Sequence, residues 1–304
     1  SNQSGSFCNI SQGFSIIFLF GLGLGIVMPH DENLPDPWYR LVSSIIGYTY
    51  FMSWSVSYYP QIITIYENGS IDGLSTDYAI ITTLNCICYA LYNSFFFWDK
   101  RIRQQYQDEH GGPDTPITVE SNDVAFALHG LLVSIALTLQ VTYYNGFRTS
   151  PLSKATIVLI IVLALTSGTY ILCILLHIQG FRWIHFLKGM ATLKILLAST
   201  GYIPQLILNY RRKSTDGFNI WNIYLDFGGG FLSTVQIILD SVDLGDLRGG
   251  IMGNWAKLAL GMITLCADSA FFIQHNILYR NDPTSASASD TRNDYTLCED
   301  HEVA

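Results

Sequence analysis

Seven long apolar stretches recur along the chain, and they constrain its fold more than any other feature. They cover roughly residues 41–60, 78–98, 124–143, 155–177, 186–209, 219–240 and 255–278. Each is close to the about 20 residues that an α-helix needs to cross the hydrocarbon core of a bilayer. Backbone groups find no water there, so such spans form helices. The pattern predicts an all-α polytopic membrane protein with seven transmembrane helices embedded in the lipid bilayer.

The composition agrees with a membrane protein. Hydrophobic residues make up 49% of the chain and charged residues 13%, whereas a soluble domain carries about 25% charged residues. The largest basic run is Arg211-Arg212-Lys213, so we expect no nucleic-acid partner. Neither the Cys nor the His residues show the spacing of metal ligands. We therefore expect no enzyme, no metal and no cofactor.

Residues 1–39 precede the first span, and we expect a luminal segment that is the remnant of a luminal domain. Within it, residues 13–28 form an eighth apolar stretch, which either crosses the membrane or lies at its interface. Asn2 and Asn9 begin N-glycosylation sequons and predict a luminal N-terminus. Seven helices then place the C-terminus in the cytosol, with residues 281–304 as an acidic, disordered tail.

The distribution of Lys and Arg does not decide this orientation. The predicted cytosolic segments hold seven of them and the predicted luminal segments hold eight, so the positive-inside rule favours neither side. A third sequon, Asn68-Gly69-Ser70, lies on the predicted cytosolic side. Glycosylation at Asn68 would therefore reverse the predicted orientation.

Among the ionisable residues in or beside the predicted spans, four are candidates for a functional role. Lys194 lies in the fifth span, Asp226 in the sixth, Asp268 in the seventh, and Asp123 at the start of the third. An ionisable group at membrane depth costs about 2.5–3.5 kcal/mol on insertion scales, which makes it a functional candidate. The alternatives are snorkelling for the lysine, an N-cap for Asp123, and a purely structural ion pair or hydrogen bond for the other two. Asn222 precedes Asp226 by one turn and shares its helix face.

One motif occurs twice. YYPQIITIYENGSIDG covers residues 58–73, and YIPQLILNYRRKSTDG covers residues 202–217, 144 residues later, with eight of sixteen positions identical. Each copy ends one helix, crosses a short polar loop and begins the next. Four helices separate the two copies, so both loops face the same side. The repeat predicts two parallel three-helix bundles, around 41–143 and 186–278, joined by a linker helix at 155–177.

A proline lies at the same place in each copy. Pro60 and Pro204 each remove a helix hydrogen bond and kink the chain. The matched positions predict a gating hinge that lines a cavity. The alternative is that each proline merely ends its helix before the loop.

These motifs resemble the PQ-loop family, and more closely its cystinosin branch of lysosomal, proton-coupled cystine exporters. The resemblance rests on IIGYTYFMSWSVSYYPQ (45–61), SNDVAFALHG (121–130), KSTDGFNIWNIYLDFGGG (213–230) and CADSAFFIQHNILYR (266–280). It covers most of residues 40–280, the expected transporter domain, and implies a SWEET-like fold. It also implies export of L-cystine with protons, by alternating access, from a lysosomal or vacuolar lumen to the cytosol. Sorting adaptors and nutrient-sensing complexes are the partners implied at the cytosolic face.

The resemblance implies roles for individual residues. Asp226, Asp268 and Asp123 match carboxylates of proton coupling. The positions that match the substrate cavity are Asn222, Gln205, Asn209, Tyr202, Lys194, Trp54, Tyr58, Gln61 and Thr82. Two departures concern the substrate: Gly201 replaces a second family lysine, and Thr82 replaces an amide. The tail motif Tyr295-Thr296-Leu297-Cys298 ends in Cys, a poor match to the family's sorting signal.

Other functions fit parts of this pattern. One alternative is a PQ-loop transporter of a cationic amino acid, whose substrate would be repelled by the charge of Lys194. Another is a sugar transporter, which would need no buried charge. A sorting receptor of the KDEL-receptor type would need a more basic cavity. Gly228-Gly229-Gly230 follows no strand, so it indicates close helix packing and not a phosphate loop.

Overall fold

The structure is a computed structural model that describes residues 2–28, 34–109, 112–113, 119, 121–145, 152–245 and 255–279. Ten α-helices are described, and the last continues into a π-helical turn, Gln274–Leu278. Their bounds are α1 Asn2–Val27, α2 Pro37–Ser57, α3 Tyr59–Asn68, α4 Thr76–Trp98, α5 Lys100–Glu109, α6 Ser121–Asn145, α7 Lys154–Leu175, α8 Trp183–Arg212, α9 Ile220–Asp243 and α10 Trp255–Ile273.

Every predicted span coincides with a described helix. Five of these helices, namely α4, α6, α7, α8 and α10 with its π-helical turn, are long and apolar enough to cross a membrane. The helices α2 and α9 are not among these five, and the residues that α2 buries are all Ser or Thr. The chain is therefore a multi-pass membrane protein, while the count of seven spans remains a prediction.

The loops that follow the two motifs, residues 69–75 and 213–219, are called the PQ loops here, and they have the same backbone construction. Each preceding helix ends at a left-handed residue, Gly69 (φ +59°) or Lys213 (φ +53°). Each following helix begins at a polar cap, because the side chains of Ser75 and Asn219 accept hydrogen bonds from backbone N–H groups of the first turn. These residues are equivalent under the shift of 144 residues, so the repeat found in the sequence is also a structural repeat.

Helix packing follows the same two-fold relation. In the first repeat α2 packs on α9, and in the second its counterpart α8 packs on α4. Likewise α6 packs on α4, as α10 packs on α9. The linker helix α7 contacts α8 and exposes most of its apolar surface. The elements thus form two three-helix bundles that face each other through α2, α4, α8 and α9, whereas the exact boundaries of the domain stay a prediction.

The helix α1 lies antiparallel along α2. Gly21 meets Thr49 and Gly25 meets Ile45, and a Cβ at either glycine would overlap α2. Contacts of this small-residue kind are typical of helices inside a bilayer, which favours the spanning alternative for residues 13–28. Followed back toward Asn2, a helix in this direction approaches the PQ-loop end of the bundle. The side chains of Asn2 and Asn9 lie outside the described residues, so their glycosylation stays a prediction.

An ion-pair cluster ties α5 to the start of α8, at the end of the bundle opposite the PQ loops. Glu109 accepts hydrogen bonds from Lys188 Nζ at 2.8 Å and Arg182 Nη1 at 2.9 Å. His185 Nε2 lies 3.0 Å from the same carboxyl group. The hydrogen bond from Lys188, together with the neighbouring charges, holds the pKa of Glu109 below its ordinary value.

The substitution Glu109→Gln removes this anchor. A lowered pKa means that the stabilisation is fully present above the ordinary value of about 4.3, and is lost as pH falls through the lowered value. A partly exposed cluster contributes about 1 kcal/mol or less. We expect the melting temperature of the purified protein to fall by roughly 2–4 °C at pH 7, and the difference from the unsubstituted protein to vanish at strongly acidic pH. A difference that persists at acidic pH, or an equal loss in Glu67→Gln at an exposed carboxylate outside the cluster, contradicts this account.

Candidate functional site

A small cavity of about 80 Å³ lies between α2, α4, α8 and α9. Its lining residues are Ser57, Tyr58, Tyr78, Thr82, Asn85, Leu197, Ala198, Gly201, Tyr202, Asn222 and Asp226. Pockets that hold drug-sized ligands measure about 300–1,000 Å³. A solute larger than a few waters therefore needs the cavity to widen.

The cavity lies on the two-fold axis of the repeat. Its lining includes four pairs related by the shift of 144 residues, namely Ser57 with Gly201, Tyr58 with Tyr202, Tyr78 with Asn222, and Thr82 with Asp226. One of these pairs meets across the axis, because Asn222 Nδ2 donates to Tyr78 Oη at 3.2 Å. Both bundles thus build one wall each of a single site.

Asp226 is the carboxylate of the cavity wall. Tyr202 Oη donates to its Oδ2 at 2.6 Å, which fixes the carboxyl group against α8. Trp54 Nε1 donates to the backbone carbonyl of Asp226 at 3.2 Å and fixes α9 against α2. The Trp54 ring lies where a Cβ on Gly229 would be, 2.5 Å away. The predicted role of the glycine run in close helix packing is confirmed at this position.

Asp268 is fully buried on α10 behind the cavity. Neither carboxyl oxygen has a hydrogen-bond partner within the described part of the chain. It lies close enough to Asp226 for the two carboxyl groups to interact electrostatically. An ionised carboxylate without partners in an apolar interior is strongly unfavourable, so this geometry requires the neutral, protonated form of Asp268.

Lys194 lies one turn before the cavity-lining segment of α8. Its ammonium group sits 4.4 Å from the centroid of the Tyr89 ring, a cation–π contact. Asp123, in the first turn of α6, acts electrostatically on the hydroxyl of the same tyrosine. Neither residue lines the cavity in this conformation. Both lie toward the end of the bundle opposite the PQ loops.

The PQ glutamines hold each other's loops. Gln61, in the first repeat, donates to Gly217 O at 3.1 Å and accepts from Asn219 N at 2.8 Å. Gln205, in the second repeat, donates to Gly73 O and accepts from Ser75 N, both at 2.7 Å. The two sets of contacts are equivalent under the repeat. We call these four hydrogen bonds the glutamine clamp. They join Gln61 to Gly217 and Asn219, and Gln205 to Gly73 and Ser75. The clamp shows that both loops lie at one end of the bundle, as predicted.

The clamp brings two glycines together at the axis. Gly73 and Gly217 have φ angles of +95° and +85°. A Cβ on Gly217 would overlap the carbonyl of Asp72, and a Cβ on Gly73 would overlap that of Asp216. Beneath the loops, Phe218 stacks on Phe271 with ring centroids 5.2 Å apart, inside an apolar cluster that also includes Tyr78. The PQ-loop end of the cavity is therefore closed.

Comparison with known proteins agrees with this architecture. A sequence model described as "PQ loop repeat" matches residues 42–102 and 186–246. The chain is 35% identical over 243 residues to a protein named cystinosin homolog from Dictyostelium discoideum, covering 79% of this chain and 82% of that one. The chain belongs to the cystinosin family of PQ-loop proteins.

Two further relatives match a similar share of this chain. Cystinosin of Bos taurus is 34% identical over 245 residues, which cover 80% of this chain and 65% of that protein. A protein named cystine transporter from Saccharomyces cerevisiae is 27% identical over 247 residues, which cover 77% of this chain and 92% of that one. The chain thus spans slightly less than two thirds of the bovine cystinosin.

The predicted site residues of this cystinosin-family protein fall into separate groups. Asp226, Asn222, Tyr202, Tyr58 and Thr82 line the cavity. The structure places the other predicted substrate-binding residues outside it: Gln61 and Gln205 belong to the clamp, Asn209 supports Gln205, Trp54 braces α9, and Lys194 lies one turn away. The amides are turned away because buried loop backbone groups need partners more than an open cavity does.

Three polar lining residues were not predicted, namely Ser57, Tyr78 and Asn85. Shifting Gly201 and Asn222 back by 144 residues leads to Ser57 and Tyr78, so the repeat carried that signal. Asn85 lies one turn after Thr82 on the same face of α4. It stands in an apolar helix without a pattern that singles it out.

The two repeats differ behind the clamp. In the second, Gln205 Nε2 also donates to Asn209 Oδ1 at 2.9 Å, and Asn209 Nδ2 donates to Gln274 Oε1 at 3.1 Å. In the first, Ile65 replaces Asn209, and the buried Oε1 of Gln140 has no partner in the described residues. The helix containing Pro204 is continuous, whereas the corresponding helix of the first repeat is interrupted between α2 and α3, beside Pro60. The first repeat is therefore less tightly held, and the gating hinge remains a prediction.

The substitution Gly217→Ala tests closure at the axis. The added methyl group would collide with the carbonyl of Asp72, so we expect the loops to separate. Hydrogen–deuterium exchange of residues 70–77 and 214–221 should accelerate at least tenfold. Gly69→Ala is the matched control, since Gly69 shares a positive φ but has open space around it. Equal exchange in the two variants contradicts the proposed contact.

Proposed function

We propose that this protein exports L-cystine together with protons, from the acidic lumen of a lysosome or vacuole to the cytosol, by alternating access. The observation that carries the proposal is the cavity on the two-fold axis, with a carboxylate in its wall and a closed clamp at one end. The names of the relatives support cystine as the substrate. The proposed orientation has the start of α2 in the lumen, and the PQ loops and C-terminus in the cytosol. The luminal N-terminus predicted from the Asn2 and Asn9 sequons fits this orientation only with α1 outside the bilayer, because a spanning α1 antiparallel to α2 begins at the PQ-loop end.

The cavity chemistry suits a zwitterionic amino acid. Each half of cystine carries an ammonium and a carboxylate, so a site shielded from water must offer both acceptors and donors. Asp226 supplies an acceptor for an ammonium group, and Asn222 supplies an amide. Lys194 supplies a cation for a carboxylate once the cavity widens toward it. Cystine itself has two-fold symmetry, which matches a site built from two repeats.

Proton coupling rests on the two neighbouring carboxyl groups. Asp268 is held neutral by its surroundings, so Asp226 carries the charge that varies. Ionised Asp226 in an occluded cavity is unfavourable, and protonation from the lumen removes that penalty. A proton taken up on the luminal side thereby permits reorientation. A pH difference of two units supplies about 2.7 kcal/mol per proton, at about 1.36 kcal/mol per unit, which concentrates a substrate roughly a hundredfold.

Release to the cytosol requires the glutamine clamp to open. Its hydrogen bonds join the two repeats directly, so separating the bundles at the PQ-loop end breaks all four. A closed clamp corresponds to a conformation that does not release substrate to that side. In this scheme Asp123 relays protons near the luminal mouth, and sorting adaptors and nutrient-sensing complexes bind the cytosolic face.

The test is uptake of radiolabelled cystine by liposomes containing the protein, with an acid exterior and a neutral interior. We expect the gradient to drive uptake that lysine and glucose do not compete. Asp226→Asn should lose the dependence on the gradient, because the residue that takes up the proton is gone. Asp243→Asn, at the end of the same helix and away from the cavity, is the control and should retain it.

The possible outcomes distinguish the proposed function from its alternatives. Uptake by Asp226→Asn with undiminished coupling rules out the role of Asp226. Uptake of lysine or of a sugar in place of cystine keeps the fold and changes the substrate. Binding of a peptide carboxylate without any solute flux would indicate a sorting receptor of the KDEL-receptor type.

A further inference from the structure

The amide of Asn85 is a polar group in the cavity wall that the fold does not use. Asn85 lies on α4, one turn after Thr82, and lines the cavity. Its Oδ1 is shielded from solvent, and it has no hydrogen-bond partner within the described residues. Buried amide oxygens in folded proteins nearly always have a partner, so an unpaired one in a cavity points to a ligand.

Comparison with neighbouring asparagines sharpens this point. Asn93, two turns further along α4, donates to Tyr89 O at 2.9 Å. Asn222, in the same cavity, donates to Tyr78 at 3.2 Å. Both are anchored to protein groups, whereas the Oδ1 of Asn85 has no partner within the described residues. An oxygen of this kind accepts a hydrogen bond and cannot donate one.

The second repeat has no counterpart for this amide. The shift of 144 residues leads from Asn85 to Gly229, where any side chain would collide with the Trp54 ring. Asp226 on α9 is likewise matched by the uncharged Thr82 on α4. The two walls therefore offer different acceptors, a carboxylate from the second repeat and an amide oxygen from the first.

We propose that Asn85 is a substrate-contact residue whose Oδ1 accepts a hydrogen bond from one α-ammonium group of L-cystine, while Asp226 faces the other. The proposal rests on the proposed function, since it assigns a contact within the same cavity. It makes Asn85 a determinant of specificity for substrates with a free α-ammonium group on each half.

Asn85→Leu tests the contact by separating binding from stability. Leucine removes the unpaired amide and keeps the volume, so the purified protein should melt at the same or a higher temperature. The same variant should bind cystine at least tenfold more weakly. Competition by 3,3′-dithiodipropionate, which keeps the disulfide and both carboxylates but lacks the ammonium groups, should change less than twofold. The selectivity for cystine over this analogue should fall accordingly.

Asn93→Leu is the matched control on the same helix. It removes the hydrogen bond from Asn93 to Tyr89 O, which lies away from the cavity. It should therefore lower the melting temperature and leave the selectivity unchanged. Unchanged cystine affinity in Asn85→Leu overturns the proposal for Asn85 alone. A lower melting temperature with equal weakening of both ligands assigns the amide a structural role and also overturns it. No cystine binding by the folded, unsubstituted protein rejects the substrate itself, and the Asn85 contact with it.

Discussion

The closed arrangement of the two bundles depends on the hydrogen bonds by which the two PQ loops hold each other. Each loop approaches the axis so closely that only glycine fits at Gly73 and Gly217. This contact buries backbone groups that must be satisfied. Gln61 and Gln205 satisfy them by reaching across to the opposite repeat. Because each glutamine serves the other bundle, neither loop can be held without its counterpart, and the bundles are joined at one end by hydrogen bonds that are few and specific.

The same two-fold relation places the cavity. Once the loops meet on the axis, α2, α4, α8 and α9 must line it with equivalent positions. Where the repeat has kept the same residue, as with Tyr58 and Tyr202, both walls match. Where it has diverged, as with Thr82 and Asp226, the site gains a charge on one wall only. The charge in the cavity wall therefore comes from a difference between the repeats, while their likeness supplies the frame.

Much of this frame could be predicted from the sequence. The length of each apolar stretch and the spacing of the two motifs can be read directly from the sequence. The positions of the helices and the shared side of the loops could therefore be predicted. The direction of single side chains was not, because it depends on residues far away in the chain. Gln61 bonds to Gly217, and the competing demand of a buried loop draws it from the cavity for which it was predicted. Asn85 could not be predicted as a lining residue, because a single amide in an apolar helix forms no recurring sequence pattern.

The most direct test of gating by the glutamine clamp is a measurement of the distance between the two PQ loops. Spin labels at Glu67 and Arg211, two exposed positions related by the repeat, report that separation through a pulsed electron–electron resonance distance. We expect one short distance without substrate, and a second, longer one when cystine and protons are supplied. Gln205→Leu should populate the longer distance without substrate, because it breaks half of the clamp. A single distance that neither substrate nor this substitution changes would contradict the proposed gating by the glutamine clamp.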